Sequence, residues 1–431
     1  MNEAWVRRAL DTKRSGEPLD AATWTRLIDG YVAGTIGETP IAALLMAAAI
    51  RGLDGAETAA LTGAMIRSGD TLAFDGVVVD KHSSGGVGDS ISLVVVPLVA
   101  ACGVAVAKLS GRALGHTGGT LNKLEAIPGV RTDLTPAAFR AQVERIGCAI
   151  SAQSDRLVPA DRLLYDLRDR TGTVASIGLI AASIVSKKIA GGASAIVFDV
   201  KLGAGAFMRT IGEAHELAQT MVDLAHRFER RASALVTDMN EPLGPSVGDA
   251  LEVIEARDFL RGTQRDARLA DVVMLVATEM LAVGGMARDE APARLQMALD
   301  GGAAYERFVD LVDAQGGTRA GLEGLRVPAG ARAARAARAG IVQAVDTVAI
   351  GERARAAVEA HGSAAGIIVR ARIGDRVQAG DALAELIGGD DADAAGLAAA
   401  FVLGDTPVER RPLLAATVRD ADPVGSSNGA R

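Results

Sequence analysis

Residues 76–127 read GVVVDKHSSGGVGDSISLVVVPLVAACG (76–103) and then VAVAKLSGRALGHTGGTLNKLEAI (104–127). The first half is a β-branched strand, a glycine-rich loop and an apolar helix, and the second half repeats that plan. AIVFDVKLGAGAF (195–207) and ASALVTDMNEPLG (232–244) are further short apolar strands that end in glycine-containing turns, with helical stretches between them. Strands alternating with helices predict an α/β fold, a mostly parallel sheet covered on both faces. Ligands of such sheets collect beyond the carboxyl ends of the strands. Each glycine-rich loop here follows a strand.

Outward from this centre the texture changes. Residues 3–70 read as helices, with apolar residues at three- and four-residue spacing in AATWTRLIDGYVAG (21–34) and PIAALLMAAAIRG (40–52). Helical periodicity returns from about 250 to 315. GARAARAARAG (330–340) is low-complexity, and its periodicity fits helix, strand or linker equally. IVRARIGDRVQAGDALAELI (368–387) has β character with Gly-Asp turns, like a small barrel of the lipoyl-domain type. It has no lysine to carry lipoate or biotin, so a structural module is expected. The tail, 422–431, reads as frayed.

Composition bounds the function. With 431 residues, 49% of them hydrophobic and a net charge of −7, the chain is long enough for two or three domains and is not globally disordered. The net-negative charge and 3% aromatic content argue against a nucleic-acid partner. Two cysteines, Cys102 and Cys148, make no disulfide framework, which points to a reducing compartment. The amino terminus, MNEAWVRRALDTKR, lacks the apolar stretch of a signal peptide. The longest uncharged run, Ser90 to Ala107, is interrupted by Ser92, Pro97 and Gly103 and reads as a buried helix and a strand rather than a membrane span. A cytoplasmic protein is expected.

The basic residues divide into 39 Arg and only 7 Lys, at 13, 81, 108, 123, 187, 188 and 201. Five of those seven fall beside Gly, Ser or His clusters, where a compact charge with three rotatable donors is useful. The loop Lys81-His82-Ser83-Ser84-Gly85-Gly86-Val87-Gly88-Asp89-Ser90-Ile91-Ser92 has glycines that let backbone N–H groups approach an anion, and a helix start behind them. Lys81 and the hydroxyls of Ser83 and Ser92 complete a phosphate cradle; a plain strand-to-helix turn would need the glycines but not that side-chain set. The spacing is not that of a P-loop, so nucleoside triphosphate binding has no support. The second loop, Lys108 to Thr120, repeats the same content, and two such loops after neighbouring strands imply one anion held from two sides. His116 reads as a structural hydrogen-bonding histidine. Ser183 and Lys187, four apart on a helical segment, share one face.

Other apparent matches fail. HELAQ (215–219) lacks the second histidine of a zinc HExxH, and GSSNG (425–429) has no triad partners after it. No Cys/His cluster has metal-ligand spacing.

Read together, the two loops resemble the thymidine phosphorylase and pyrimidine-nucleoside phosphorylase family. Its signature S-G-R-[GA]-L-x-H-T-G-G-T-x-D-K-L-E is met here by SGRALGHTGGTLNKLE (110–125), and its phosphate loop by DKHSSGGVGDS (80–90). RDRTGTVASIGLIAASIVSKK (168–188) is similar to its base-binding segment, and VFDVKLGAGAFM and TDMNEPLGPSVGDALEV to further blocks. The resemblance covers about residues 3–320. It implies an all-helical domain (1–65 and 160–190), concerned with dimerisation and the base, facing an α/β phosphate-binding domain (70–159 and 191–325). A C-terminal α+β lipoyl-like module, 330–431, is expected to follow.

By position, the resemblance implies phosphate contacts at Lys81, His82, Ser83, Ser92, Lys108, Leu109, Ser110 and Thr120. It implies base contacts at Arg168, Ser183 and Lys187, with Leu114, Tyr165, Val174, Ile180 and Phe207 as apolar walls. His82, Arg168 and Lys187 are the implied catalytic residues. A monovalent-cation site, for potassium, falls on Gly88, Ser90, Leu243, Ser246 and Glu255. Lys108 is similar to the branch that accepts both uridine and thymidine. The implied activity is reversible phosphorolysis of pyrimidine nucleosides by a cytoplasmic homodimer. Phosphate is the co-substrate and no organic cofactor is needed. The implied partners are a nucleoside and phosphate, with no nucleic acid and no membrane.

Asn122, Ala175 and Gly178 depart from the family pattern, which has Asp at the first position and more often a polar residue and Pro at the others. Two rival readings remain. An anthranilate-type phosphoribosyltransferase would share the fold but needs an acidic magnesium site where this chain presents Lys81 and His82. A catalytically retired nucleoside-binding homologue would rest on Asn122 and Gly178.

Overall fold

A computed structural model describes residues 3–112, 116, 118–153 and 156–419 of the chain. The strand–loop–helix repeats build five parallel strands, β1 (Val78–Ser83), β2 (Ala105–Ser110), β3 (Cys148–Ala152), β4 (Ala195–Leu202) and β5 (Arg231–Asp238). They lie in the order β5-β4-β1-β2-β3, and the strand Leu414–Arg419 adds antiparallel to β5 at the edge. The chain leaves β1 towards β2 on one side and returns to β4 on the other. The strand order therefore reverses at β1, and a crevice opens beyond its carboxyl end.

The sheet is buried on both faces, as its near-continuous Val, Ile and Ala runs require. On one face Val79, Val106, Ile150 and Val197 pack with the helix Ile91–Ala101 and with the helical stretch between Asp249 and Ala314. The uncharged run thus becomes a buried helix that contains Pro97, followed by β2. On the other face Ile196, Phe198 and Val236 pack with the helices Ile177–Ala190 and Ile211–Arg227.

The amino-terminal helices Glu3–Ser15, Ala21–Val32, Glu38–Arg51 and Gly55–Arg67 share a separate core with residues 158–190, around Trp24, Leu27, Ile41, Leu164 and Leu179. The helix Ile177–Ala190 belongs to both cores: Leu179 and Ala182 face the bundle, while Ala181, Ile184 and Val185 face the sheet. The chain is thus α/β, an all-helical bundle facing a mixed α/β domain with a mostly parallel sheet, plus a small α+β module.

That module contains a three-stranded and a four-stranded antiparallel sheet with the helices Thr347–His361 and Asp391–Ala398. Low-complexity residues within 330–340 resolve into the strand Arg332–Arg335. The short strand Ser246–Val247, from the α/β domain, joins the four-stranded sheet by pairing with Gly366–Val369. No helix among the described residues is long and apolar enough to cross a membrane.

Candidate active site

Because β1 and β2 are neighbours, the loops after Ser83 and Ser110 emerge side by side. They form one wall of a cleft of about 690 Å³. His82, Ser83, Ser92, Lys108, Leu109, Ser110 and Thr120 line that wall. Tyr165, Arg168, Val174, Ile180, Ser183, Lys187 and Phe207 line the other. Leu114 lies outside the described residues. Lys81 is brought close but does not reach the cleft surface: its side chain is fully buried behind the first loop, 3.2 Å from Asp199.

Lysine is used here almost entirely as a buried charge: six of the seven are buried, and Lys187 keeps 21% of its side chain exposed. Behind the first loop Lys81 and Lys201 share Asp199, at 3.2 and 2.8 Å, and Lys201 also lies 3.8 Å from Asp89. Lys123 pairs with Glu252 at 2.5 Å and donates to the Asp89 carbonyl. Burial opposes the charge of Asp89, yet Lys201, Lys81 and Lys123 hold its carboxyl well below the usual range. In this group three ammonium groups meet three carboxylates.

Beside the cleft the count differs. Asp80 Oδ2 accepts from Lys188 Nζ at 2.8 Å, and Lys108 Nζ lies 4.0 Å from Asp80 Oδ1. Lys108 donates to the Lys81 carbonyl, and Lys188 to the Leu109 carbonyl. Two lysines thus face one carboxylate, and Lys108 is the one that lines the cleft. Burial, followed by Lys188, pushes its ammonium well below the ordinary lysine range. A bound anion would relieve that strain, because an opposite charge a few ångströms away favours the protonated form. Burial, with Lys188, Lys108, Lys187 and Lys81 around it, also pushes the His82 imidazole well below its usual range. His82 is therefore neutral, a hydrogen-bond donor at one nitrogen rather than a second cation.

The polar groups of the opposite wall come from two helices. Asp161, Tyr165 and Arg168 follow one another at helical spacing on Pro159–Thr171. Ser183 and Lys187 do so on Ile177–Ala190. Arg168, buried, donates to the carbonyls of Leu179 at 3.1 Å and Val174 at 2.7 Å. Carbonyl dipoles orient the guanidinium without cancelling its charge, leaving it able to meet an anion. Lys187 Nζ donates to Asp161 Oδ2 at 2.7 Å and to Ser183 Oγ at 2.9 Å. The Tyr165 ring lies 5.9 Å from the Arg168 guanidinium carbon and 5.7 Å from Lys187 Nζ. His116 Nε2 is 3.0 Å from the Gly205 carbonyl, a hydrogen bond that ties the second loop to the turn after β4.

The five residues of the expected cation site also come together, beneath the first loop. Glu255 Oε1 accepts from Ser90 Oγ at 2.7 Å, and Oε2 from the Ser246 amide at 2.9 Å. The Leu243 and Gly244 amides donate to the carbonyls of Val87 and Gly88. Gly88 holds φ +60°, and a Cβ there would stand 3.0 Å from the carbonyl oxygens of both Gly244 and Ser246.

Sequence reading missed the carboxylates that organise these lysines: Asp80, Asp161 and Asp199. A signal existed. Asp precedes Lys in both VVDKHS and VFDVK, and Asp161 stands one and two helical turns before Tyr165 and Arg168. Of the departures, Gly178 packs close to the bundle, where a Cβ would meet Leu53 at 3.0 Å.

Two family models match the chain: the glycosyl transferase family helical bundle domain over residues 7–69 and the glycosyl transferase family a/b domain over 75–305. A thymidine phosphorylase of Burkholderia cenocepacia is 46% identical over 94% of this chain and 96% of its own length. A pyrimidine-nucleoside phosphorylase of Staphylococcus aureus is 47% identical over 72% of each chain. Among solved structures, an anthranilate phosphoribosyltransferase of Thermus thermophilus aligns with a TM-score of 0.56 at 21% identity, over 71% of this chain and 99% of that one, a likeness of fold alone. On the identity and coverage of its relatives, and on both domain matches, the chain belongs to the glycosyl transferase family, with the thymidine and pyrimidine-nucleoside phosphorylases.

Proposed function

We propose that this chain catalyses the reversible phosphorolysis of pyrimidine nucleosides, giving the free base and a pentose 1-phosphate. The observation that carries the reading is the cleft itself: an excess buried ammonium and hydroxyls on one wall, and on the other a guanidinium held only by carbonyls beside an ammonium aimed by Asp161. In this mechanism phosphate, cradled by Ser83, Ser92, Lys108, Ser110 and Thr120, attacks the sugar C1′ from the face opposite the base. Lys81 supports that wall from behind. The glycosidic bond lengthens first, so positive charge builds on the sugar and negative charge on the departing pyrimidine. Arg168 and Lys187 stabilise that anion, Ser183 hydrogen-bonds its edge, and neutral His82 donates to a ring carbonyl. Donors preorganised at developing charge typically contribute about 10²–10³ in rate each. Thymidine, deoxyuridine and uridine are the substrates of this reading.

A potassium ion beneath the first loop is part of the proposal. The Gly244 and Ser246 carbonyls around Gly88, with the partly buried Glu255 carboxylate, suit a hard monovalent cation. The ion would supply a fixed positive charge that neutralises Glu255 and steadies the loop backbone. We also propose a cytoplasmic homodimer. Met46 and Ile50, exposed on the helix Glu38–Arg51, are the apolar surface a second bundle would cover, and sedimentation tests it.

Ultraviolet absorbance of base released from thymidine and uridine, with and without phosphate, tests the activity. Release that requires phosphate supports it. Nucleoside binding without turnover would favour a retired homologue, and base transfer that needs a pentose pyrophosphate would favour the phosphoribosyltransferase.

A further inference from the structure

The segment Glu241-Pro242-Leu243-Gly244-Pro245-Ser246 crosses between the first loop and the C-terminal module. Its two prolines have no N–H, so its amide donors are Leu243, Gly244 and Ser246 besides Glu241. All three point inward, to Val87 O, Gly88 O and Glu255 Oε2. Its carbonyls are taken from the other side. Pro245 O accepts from the Val369 amide, and both Pro242 O and Leu243 O from the Arg372 guanidinium, while just before the segment Asn240 O accepts from Thr347 Oγ1. Glu241 Oε2 accepts from the Ile373 amide, and Ser246–Val247 pairs with Gly366–Val369. One strap is thus hydrogen-bonded to the glycine loop on one edge and to the module on the other.

We infer that Arg372 is a positioning residue for phosphate, fixing residues 85–90 through the 242–246 strap. Its planar fork suits two successive carbonyls, which a lysine cannot engage in the same way. Its side chain is 16% exposed, and the carboxylate it pairs with among the described residues, Asp266, lies 3.7 Å away, so the carbonyl contacts are its closer partners. The module therefore has work that needs no carrier lysine: it backs the anion loop. The inference rests on the phosphorolysis reading of the cleft.

The experiment is steady-state kinetics of the full chain and of Arg372→Met and Arg372→Lys, with phosphate and thymidine varied separately, beside hydrogen exchange of residues 84–90. Losing two hydrogen bonds from a charged donor should raise the phosphate KM about tenfold in Arg372→Met. The thymidine KM should stay unchanged, exchange across 84–90 should quicken, and Arg372→Lys should fall between. An unchanged phosphate KM, or equal rises in both KM values that track a fall in melting temperature, would overturn the proposal. If Arg372→Met fails to fold, Arg372→Lys carries the same comparison. If the wild-type chain shows no phosphate-dependent release, the phosphorolysis reading fails by itself. Exchange across 84–90 then decides the Arg372 link: faster in the variant supports it, unchanged refutes it.

Discussion

Lys187 Nζ lies 2.7 Å from Asp161 Oδ2, between the two helices that face the glycine loops, and the other oxygen of that carboxylate has no hydrogen-bond partner among the described residues. Asp161 is buried and lines the cleft. On the proposed mechanism it aims the ammonium and at the same time lowers the charge available to a departing base.

Asp161→Asn keeps the shape and one acceptor but removes the charge that anchors Lys187. Freed from its counter-ion, Lys187 loses its fixed position, so kcat for thymidine should fall about tenfold, roughly 1.4 kcal/mol of transition-state stabilisation. The phosphate KM should hold, since the opposite wall is untouched. Kinetics with each substrate varied checks this. A rise in the phosphate KM with kcat intact would mean that Asp161 acts elsewhere.

Lys108 gives a pH prediction. Its folded pKa lies well below the ordinary 10.5, chiefly from burial and then from Lys188. Between the folded and unfolded values the unfolded chain binds the extra proton, so this group makes stability rise with pH in that window. Phosphate binding runs the other way, because the ammonium is lost as pH climbs through the folded value. The phosphate KM should therefore rise on the alkaline side, well short of pH 10.5. Lys188→Met removes the like charge and should move that rise to higher pH. Initial-rate profiles of both proteins decide it; an edge that stays in place would remove Lys188 from the role.

These couplings show where sequence reading stops. The strand–loop–helix plan was legible because each unit is local: a β-branched run, glycines, then an apolar helix around Pro97. Ser183 and Lys187 were legible because a helix sets their spacing. The lysine partners were not, because Lys188 meets Asp80 across 108 positions, and only the β1–β4 pairing and the helix between them bring such residues together. The return of Leu414–Arg419 to the edge of the main sheet was equally hidden. A strand carries its own period but no statement of which strand it will join.

Glu255 ties the proposed cation site to stability. Burial pushes its carboxyl from 4.5 up to about 7. Between those values the folded chain holds a proton that the unfolded chain has released, so stability falls as pH rises, by about 3 kcal/mol at most once pH passes 7. A potassium ion beside the carboxylate would favour its charged form and shrink that loss. Melting temperatures at about pH 5 and about pH 8 should differ less in potassium chloride than in tetramethylammonium chloride of equal strength. In Glu255→Gln the share of the slope that Glu255 contributes should vanish, and the salt difference with it. An identical slope in the two salts would argue against the ion.

Asn122 stands where the family signature has Asp, whose charge could hold a nearby cation such as Lys123 or Arg112. Both cations have other partners: Lys123 pairs with Glu252 at 2.5 Å, and Arg112 with Glu125, one nitrogen donating at 2.8 Å. Asn122 lies in the first turn of the short helix Thr120–Glu125, so a carboxylate there would still meet the positive end of the helix. That interaction is worth about 0.3–1 kcal/mol. Asn122→Asp should therefore raise the melting temperature slightly and leave the choice of nucleoside unchanged, with turnover moving by no more than a few-fold. Base release from thymidine and uridine by both proteins is the measurement. A wild-type chain inert towards both, rescued by several orders of magnitude in Asn122→Asp, would mean that the missing carboxylate had retired the enzyme.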